Sequence, residues 1–216
     1  MKFFEFFFIY ISALSLAADE NHIEIVNLLL SMQGNEIEHD LFNGCRMIEQ
    51  VTIPKNIESI GNFAFYECSS LSLIKFETPS SLISIKSHAF TKCKMITEIT
   101  IPSSVVKIGE FAFYGCASLV NITIPSSVTD IGESAFKKCT SLKEISIPSS
   151  MKKIESCVFY GCSSIEKVTI PHSIVEIGSE AFCGCSSLSN VAIPSSVTLI
   201  GYNAFEGCSL SNQSFN

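Results

Sequence analysis

Residues 119–142 read Leu-Val-Asn-Ile-Thr-Ile-Pro-Ser-Ser-Val-Thr-Asp-Ile-Gly-Glu-Ser-Ala-Phe-Lys-Lys-Cys-Thr-Ser-Leu. The fold can be predicted from this one stretch, because it contains a complete unit of a pattern that recurs along the chain. The Ile-Thr-Ile segment at 122–124 alternates apolar and polar residues and is rich in β-branched side chains, which predicts a short strand. Pro125 has no N–H, so it ends the strand, and the two serines after it favour a turn. Gly132 allows the backbone to pass close to other atoms. The Ala-Phe-x-x-Cys spacing at 135–139 predicts a short helical turn.

Three residue types repeat outward from this stretch with a common period of 23 residues. The first step of the proline series is two residues longer, which places an insertion around Glu77 and Thr78. The prolines are Pro54, Pro79, Pro102, Pro125, Pro148, Pro171 and Pro194. The phenylalanines are Phe65, Phe90, Phe113, Phe136, Phe159, Phe182 and Phe205. The cysteines are Cys45, Cys68, Cys93, Cys116, Cys139, Cys162, Cys185 and Cys208. Three residue types in step identify an internal repeat.

A single unit of this kind is too small to be stable alone. Burial of about nine apolar side chains at roughly 2 kcal/mol each does not offset an ordering cost of roughly 1.5 kcal/mol for each residue of the unit. Stacking on neighbouring units supplies the missing burial, with successive strands pairing in parallel about 4.8 Å apart. The sequence therefore predicts a repeat solenoid of the α/β class over residues 41–210. It would have a parallel sheet on one side and short helical turns on the other, followed by a polar tail at 211–216.

The repeated Leu-x-x-Ile-x-Ile-Pro-x-Ser-Val-x-x-Ile-Gly-x-x-Ala-Phe-x-x-Cys pattern resembles the BspA-type, or treponemal-type, leucine-rich repeat. The resemblance covers about residues 41–210 in seven successive copies. It implies a right-handed, gently curved solenoid without catalytic machinery or cofactor. Family members are typically bacterial or protist surface antigens that bind host proteins or other cells, so the resemblance also implies a protein partner.

The first forty residues follow a different pattern. Residues 12–30 resemble one ankyrin repeat, which implies helices near 13–20 and 23–31 with His22 bracing the turn between them. A single ankyrin unit leaves one apolar face bare, so we expect the helical hairpin at 1–40 either to cap the first coil or to end a longer array. Alternatively, residues 1–18 form a secretory signal, although Glu5 interrupts its apolar run. No stretch of about 20 residues is apolar enough to predict a membrane span.

Cysteine content raises three hypotheses: disulfides, a metal site, or buried thiols. Residues one period apart stack in a ladder with parallel side chains, which disfavours bridging. The close pair Cys183 and Cys185 is a weak metal signal, so neither metal nor cofactor is expected. We expect the eight periodic cysteines to act as small buried hydrophobes. Cys157 and Cys183 fall outside the period and are predicted to lie nearer the surface as the more reactive thiols. Free thiols favour a reducing compartment.

The sequence contains no recognisable catalytic motif. His22, His39, His88 and His172 are scattered, and the serines recur at every Pro-Ser-Ser turn, whereas a nucleophile would be unique. No phosphate-binding loop, dinucleotide fingerprint or G-x-S-x-G elbow is present. The formal net charge of −7 and the lack of a basic run argue against nucleic-acid binding. We therefore expect a binding protein and not an enzyme.

Polar positions of the predicted strands all face one way and form the candidate binding surface. Its middle row is flat and rich in threonine, and a second row two residues earlier carries more variety. The candidate protein-binding residues are Gln50, Thr52, Lys75, Glu98, Thr100, Asn121, Thr123, Glu144, Ser146, Lys167, Thr169 and Asn190. Two roles are open: a surface antigen or adhesin that binds a host or cell-surface protein, and an intracellular interaction module. The array also stops mid-unit at Leu210, which predicts self-association through the C-terminal coil.

Overall fold

Each 23-residue unit folds into one coil with three sides, and the coils stack in register. The computed structural model of the chain describes residues 23–31 and 34–210. One side of each coil is the strand of the Leu-x-x-Ile-x-Ile motif, the second is a shorter strand in the Val-x-x-Ile-Gly segment, and the third is a run of turns around Ala-Phe-x-x-Cys. The predicted parallel-sheet solenoid is confirmed.

The longer strands alternate between buried and exposed side chains, as their sequence predicts. In β6, Glu98–Thr100, and in β10, Glu144–Ser146, the central Ile99 and Ile145 are buried while the residues on either side are exposed. Neighbouring strands pair in parallel, so that Glu98 lies opposite Asn121 and Thr100 opposite Thr123. The longer strands are β2 Gln50–Ile53, β4 Leu73–Phe76, β6 Glu98–Thr100, β8 Asn121–Thr123, β10 Glu144–Ser146 and β12 Lys167–Thr169.

A second row of parallel strands, which our sequence analysis did not predict, runs along the next side of the stack. Each is only two residues long. In all of them except Leu199–Ile200, the isoleucine that precedes the repeat glycine position is buried, as at Ile108 and Ile131. The shorter strands are β1 Glu36–Ile37, β3 Ser59–Ile60, β5 Ser84–Ile85, β7 Lys107–Ile108, β9 Asp130–Ile131, β11 Lys153–Ile154, β13 Glu176–Ile177 and β14 Leu199–Ile200. These strands could not be predicted from the sequence, because two residues are too few to show an alternation of apolar and polar side chains.

On the third side, the predicted helical turn takes the form of consecutive turns. Bonds between residues three apart close them, for example from the Cys116 N–H to the Phe113 carbonyl oxygen at 3.2 Å. Each full turn holds two residues with positive φ, such as Phe111 at 53° and Gly115 at 70°. Left-handed residues cannot continue a right-handed α-helix, so the chain turns back towards the next coil.

The core is organised around a column of phenylalanine rings. Successive rings stack with interplanar angles of at most 14° and centroid distances of 5.0 to 5.6 Å. The column begins at Phe42, one unit before the first Ala-Phe pair. Phe42 is not part of the Ala-Phe series because Leu41 stands in the place of the alanine. The insertion near Glu77 leaves the column undisturbed, since Phe65 and Phe90 remain 5.2 Å apart.

The N-terminal helix α1, Ile23–Ser31, packs against β2, which is the first of the longer strands. Its Val26 and Leu30 are buried in the core, and the Asn27 Oδ1 atom accepts a hydrogen bond from the Thr52 N–H at 2.9 Å. This helix thus covers the edge of β2. Whether the N-terminal segment caps the first coil or ends a longer array stays a prediction. The preceding helix predicted near 13–20 lies outside the described residues, and the ankyrin-like repeat stays a prediction.

Candidate binding surfaces

The predicted binding residues line one side of the stack, which we call the long-strand face. From Lys75 to Asn190 all of them are exposed, whereas Gln50 and Thr52 are half-buried at the end where α1 packs. Asn190 lies on the same line in the last coil, beyond the final assigned longer strand. The structure therefore brings the predicted residues together on one continuous surface. Whether this surface binds a protein stays a prediction.

A second surface was missed at the sequence level. A groove of about 890 Å³ lies over the shorter strands, and we call it the short-strand groove. Its charges alternate from coil to coil: Lys107 is in register with Asp130, and Lys153 with Glu176. The Lys153 Nζ atom lies 3.0 Å from the Glu176 carboxylate. The Lys153–Glu176 ion pair links two coils. Positive and negative charges balance along the groove, which leaves little net charge for a ligand. The sequence contained one signal for this surface, because the sign of the charge alternates from unit to unit at one repeat position.

The periodic thiols have a structural role that the prediction of simple burial did not include. Each from Cys68 onward donates its S–H to the phenylalanine carbonyl one coil earlier, with Sγ–O distances of 3.0 to 3.3 Å. That carbonyl already accepts a backbone N–H, so the thiol satisfies its second lone pair. Burial raises the pKa values of the Cys68, Cys93, Cys116, Cys139 and Cys162 thiols, to about 12 for Cys116 and Cys162. None of the ten cysteines forms a disulfide.

Cys157 and Cys183, the two outside the period, are half-buried, as predicted. Whether they are the more reactive of the ten thiols stays a prediction. Partial burial raises the pKa of both, and the nearby Glu180 carboxylate raises them further. The Cys157 Sγ atom lies 3.6 Å from Glu180 Oε2. A raised pKa leaves little thiolate near neutral pH, so neither cysteine is activated as a nucleophile.

The histidines and serines have structural contacts. His88 stacks between Phe63 and Phe111 with centroid distances of 4.5 and 4.8 Å, and burial lowers its pKa. In three coils the serine two residues after the proline ties coils together, as where the Ser127 hydroxyl donates to the Val105 carbonyl at 2.7 Å. The Ser104 and Ser173 hydroxyls at this position are buried without a hydrogen-bond partner among the described residues. His22 lies outside the described residues.

Residues 23–31 and 34–210 contain no group of three or more His, Cys, Asp or Glu side chains placed to hold a metal ion. The same residues include no helix that is long and apolar enough to cross a membrane.

Comparison with known proteins agrees with this architecture. The family model described as BspA type leucine-rich repeat region matches residues 35–165 and 106–216 in six copies. The crystal structure of the T. pallidum leucine-rich repeat protein is similar at 32% identity over 72% of each chain, with a TM-score of 0.68. Fainter similarity links the chain to a leucine-rich cell surface protein from Faecalibacterium prausnitzii A2-165, at 23% identity over 82% of this chain and 76% of that one, with a TM-score of 0.38.

The pneumococcal vaccine antigen PcpA is 20% identical over 82% of this chain and 58% of its own, with a TM-score of 0.42. No curated protein sequence matches the chain. The repeat motif, the solenoid of parallel strands and the match over most of the length agree, and the chain belongs to the family of BspA-type leucine-rich repeat proteins.

Proposed function

We propose that the protein is a non-catalytic scaffold that binds a protein partner through the long-strand face. The observation that carries this proposal is the uninterrupted row of exposed side chains from Lys75 to Asn190. Core packing explains the inward residues of these strands, but it places no demand on Glu98, Asn121 or Glu144, whose side chains face solvent. A rigid row repeated coil after coil suits a partner that is contacted at several points, because affinity then accumulates over the coils.

Membership of the BspA-type family supports a role as a surface antigen or adhesin, with a host or cell-surface protein as partner. The free cysteines favour the alternative, an intracellular interaction module, because such thiols persist in a reducing compartment. Exposed apolar side chains in the last coil also support self-association there: Leu199 is 54% exposed and Tyr202 is 76% exposed. A strictly monomeric mass by light scattering at high concentration would contradict that contact.

The test of the binding face compares two variants with the same change in charge. The first carries Glu98→Lys, Asn121→Lys and Glu144→Lys on the long-strand face. The control carries Glu110→Lys, Glu133→Lys and Asp130→Asn in the short-strand groove. We expect immobilised wild-type protein and the control to retain the same partner from cell-surface extracts and the first variant to lose it. Loss by the control alone would move the binding site to the short-strand groove.

Localisation separates the two roles. An amine reagent that cannot cross membranes should modify exposed lysines such as Lys94 on intact cells if the protein is at the surface. Lysine is the better target because Lys94 is exposed, whereas Cys157 and Cys183 are half-buried. Labelling only after lysis would favour the intracellular module.

A further inference from the structure

A basic groove lies on the turn side of the stack, away from both strand surfaces. Its volume is about 510 Å³, and its lining includes four cations, Arg46, Lys92, Lys94 and Lys138, with one carboxylate, Glu67. The lining therefore carries a charge of +3, four positive minus one negative, on a chain whose formal net charge is −7. A local reversal of sign of this size favours an anionic ligand.

The cations are spaced regularly along the stack. Arg46 belongs to the coil of Phe42, Lys92 and Lys94 to that of Phe90, and Lys138 to that of Phe136, so alternate coils contribute positive charge. The coils of Lys92 and Lys138 are separated by two ring spacings, of 5.4 and 5.3 Å. This line of charges fits an extended chain with anionic groups at intervals, lying parallel to the axis of the solenoid.

The gap between the two lysines is made by Gly115. This position has positive φ in every coil from Gly44 to Gly207, and Lys92 and Lys138 occupy it in the neighbouring coils. Gly115 leaves room above its Cα atom: a Cβ atom there would meet only Lys92, with its Cγ atom at 3.5 Å and its Cα atom at 3.9 Å. The Tyr114 ring beside the gap is half-buried, with the Lys138 Nζ atom 6.0 Å from its centre. A half-exposed aromatic ring beside a cation can stack against a ring of the ligand.

The backbone excludes recognition of a peptide by strand addition. The Lys92 N–H donates to the Tyr114 carbonyl at 2.7 Å and the Gly115 N–H to the Lys137 carbonyl at 2.8 Å, so these main-chain donors are occupied. Peptides that bind by adding a strand need free main-chain groups and pockets for alternate side chains. This groove offers instead cations, an aromatic ring and the hydroxyls of Ser69 and Thr140. These groups suit a sugar chain that carries sulfate or carboxylate groups.

We propose that the basic groove binds an anionic polysaccharide, with Arg46, Lys94 and Lys138 contacting its charged groups and Tyr114 stacking on a sugar ring. Glu67 restrains this site, because its carboxylate holds Lys92 Nζ at 2.6 Å and lies 3.6 Å from Arg46. The site is separate from the long-strand face, so it stands or falls independently of the proposed protein-binding function.

The test is calorimetric titration of the full chain with a heparin octasaccharide. Three ionic contacts predict that affinity falls about twentyfold to fortyfold between 50 and 200 mM salt. Lys94→Glu combined with Lys138→Glu should weaken binding by about tenfold or more. The control, Lys143→Glu with Lys152→Glu, makes the same change in charge at exposed lysines outside the groove and should retain binding.

Two further variants make the test specific. Gly115→Asn fills the gap and should weaken binding, whereas Gly161→Asn alters the same backbone position outside the groove and should not. Glu67→Gln frees Lys92 and should strengthen binding. Equal weakening by both lysine pairs, equally tight binding of an uncharged oligosaccharide of the same length, or no binding of the heparin octasaccharide at 50 mM salt would overturn the proposal. Tighter binding of poly-glutamate or of single-stranded DNA would also overturn it, by assigning the groove to another polyanion.

Discussion

The thiol of Cys139 donates a hydrogen bond to the carbonyl oxygen of Phe113, one coil earlier, across an Sγ–O distance of 3.2 Å. The same oxygen accepts the N–H of Cys116 within its own coil. One buried carbonyl therefore links two coils, and the side chain that completes the link must be small, apolar in character and able to donate. Cysteine meets all three requirements, which gives a physical reason for its recurrence at this position.

Two substitutions of Cys139 distinguish the stabilisation that comes from its hydrogen bond from the stabilisation that comes from the volume of its side chain. Cys139→Ala removes both and should lower the free energy of unfolding by about 1–2 kcal/mol. Cys139→Val fills the site with a slightly larger side chain that has no donor, and it should stay destabilising because the second lone pair of the Phe113 oxygen loses its partner. Urea denaturation followed by circular dichroism measures both changes. A valine variant as stable as wild type would show that the thiol only fills space.

The buried thiols should make the protein sensitive to alkali. Thiols of the unfolded chain ionise near pH 8.5, whereas burial raises the pKa of Cys116 and Cys162 to about 12. Between these values the folded state binds more protons than the unfolded state, so stability falls as the pH rises. Each such thiol contributes a slope of about 1.4 kcal/mol per pH unit.

The check is urea denaturation of wild type and of Cys116→Ala with Cys162→Ala at a series of pH values from 7 to 10. The double variant starts less stable, but its stability should decline more slowly with pH. Parallel curves would mean that these thiols ionise equally in both states.

The His88 stack predicts a loss of stability in acid. Burial between Phe63 and Phe111 lowers the pKa of His88, with the Glu110 carboxylate opposing this effect and Thr91 Oγ1 lying 3.3 Å from its Nδ1 atom. The unfolded state therefore takes up a proton first as the pH falls below about 6.5, and stability decreases there.

His88→Phe continues the stack, since Phe63 and Phe111 hold the same backbone conformation, with φ of 57° and 53° against 59° for His88. Its melting temperature should fall less than that of wild type between pH 7.5 and pH 5. An identical fall in both proteins would show that His88 is not the sensitive group. The other histidines are present in both proteins, so the difference isolates this ring.

Gly132 is expected to be intolerant of a side chain. A Cβ atom there would lie 2.5 Å from the Glu110 backbone nitrogen in the preceding coil. Lys86 and Glu155 occupy the same repeat position in two other coils, so a local shift of the backbone can relieve the clash. We expect Gly132→Ala to cost about 1–3 kcal/mol. Gly34→Ala, with no atom within 4 Å of the new methyl group, serves as the control and should cost much less when both are melted in parallel.

Most of the solenoid could be predicted from the sequence, because each repeated residue type has a distinct effect on the local structure. Pro125 ends a strand, Phe136 and Cys139 return to the core at every period, and the strand row at Thr100 and Thr123 faces outward as predicted. The shorter strands could not be read in the same way, since two residues show no alternation. Their partners are 23 residues away in the chain, and only the stacked register reveals them.

The basic groove was likewise hidden by composition. Its cations are single residues separated by whole coils, and the chain as a whole is acidic. No run of basic residues marks it, so a scan of neighbouring positions finds nothing. Reading the chain in columns of one period would have placed Glu67, Lys92, Gly115 and Lys138 side by side.

The insertion near Glu77 has a practical consequence. The strands Leu73–Phe76 and Ser84–Ile85 on either side of it keep their register, and the phenylalanine column passes it with a 5.2 Å step. Extra chain at this corner is therefore accommodated outside the packed coils. An epitope or a fluorescent tag inserted between Glu77 and Thr78 should be displayed from a folded solenoid, which makes this corner the natural place to attach cargo to the protein.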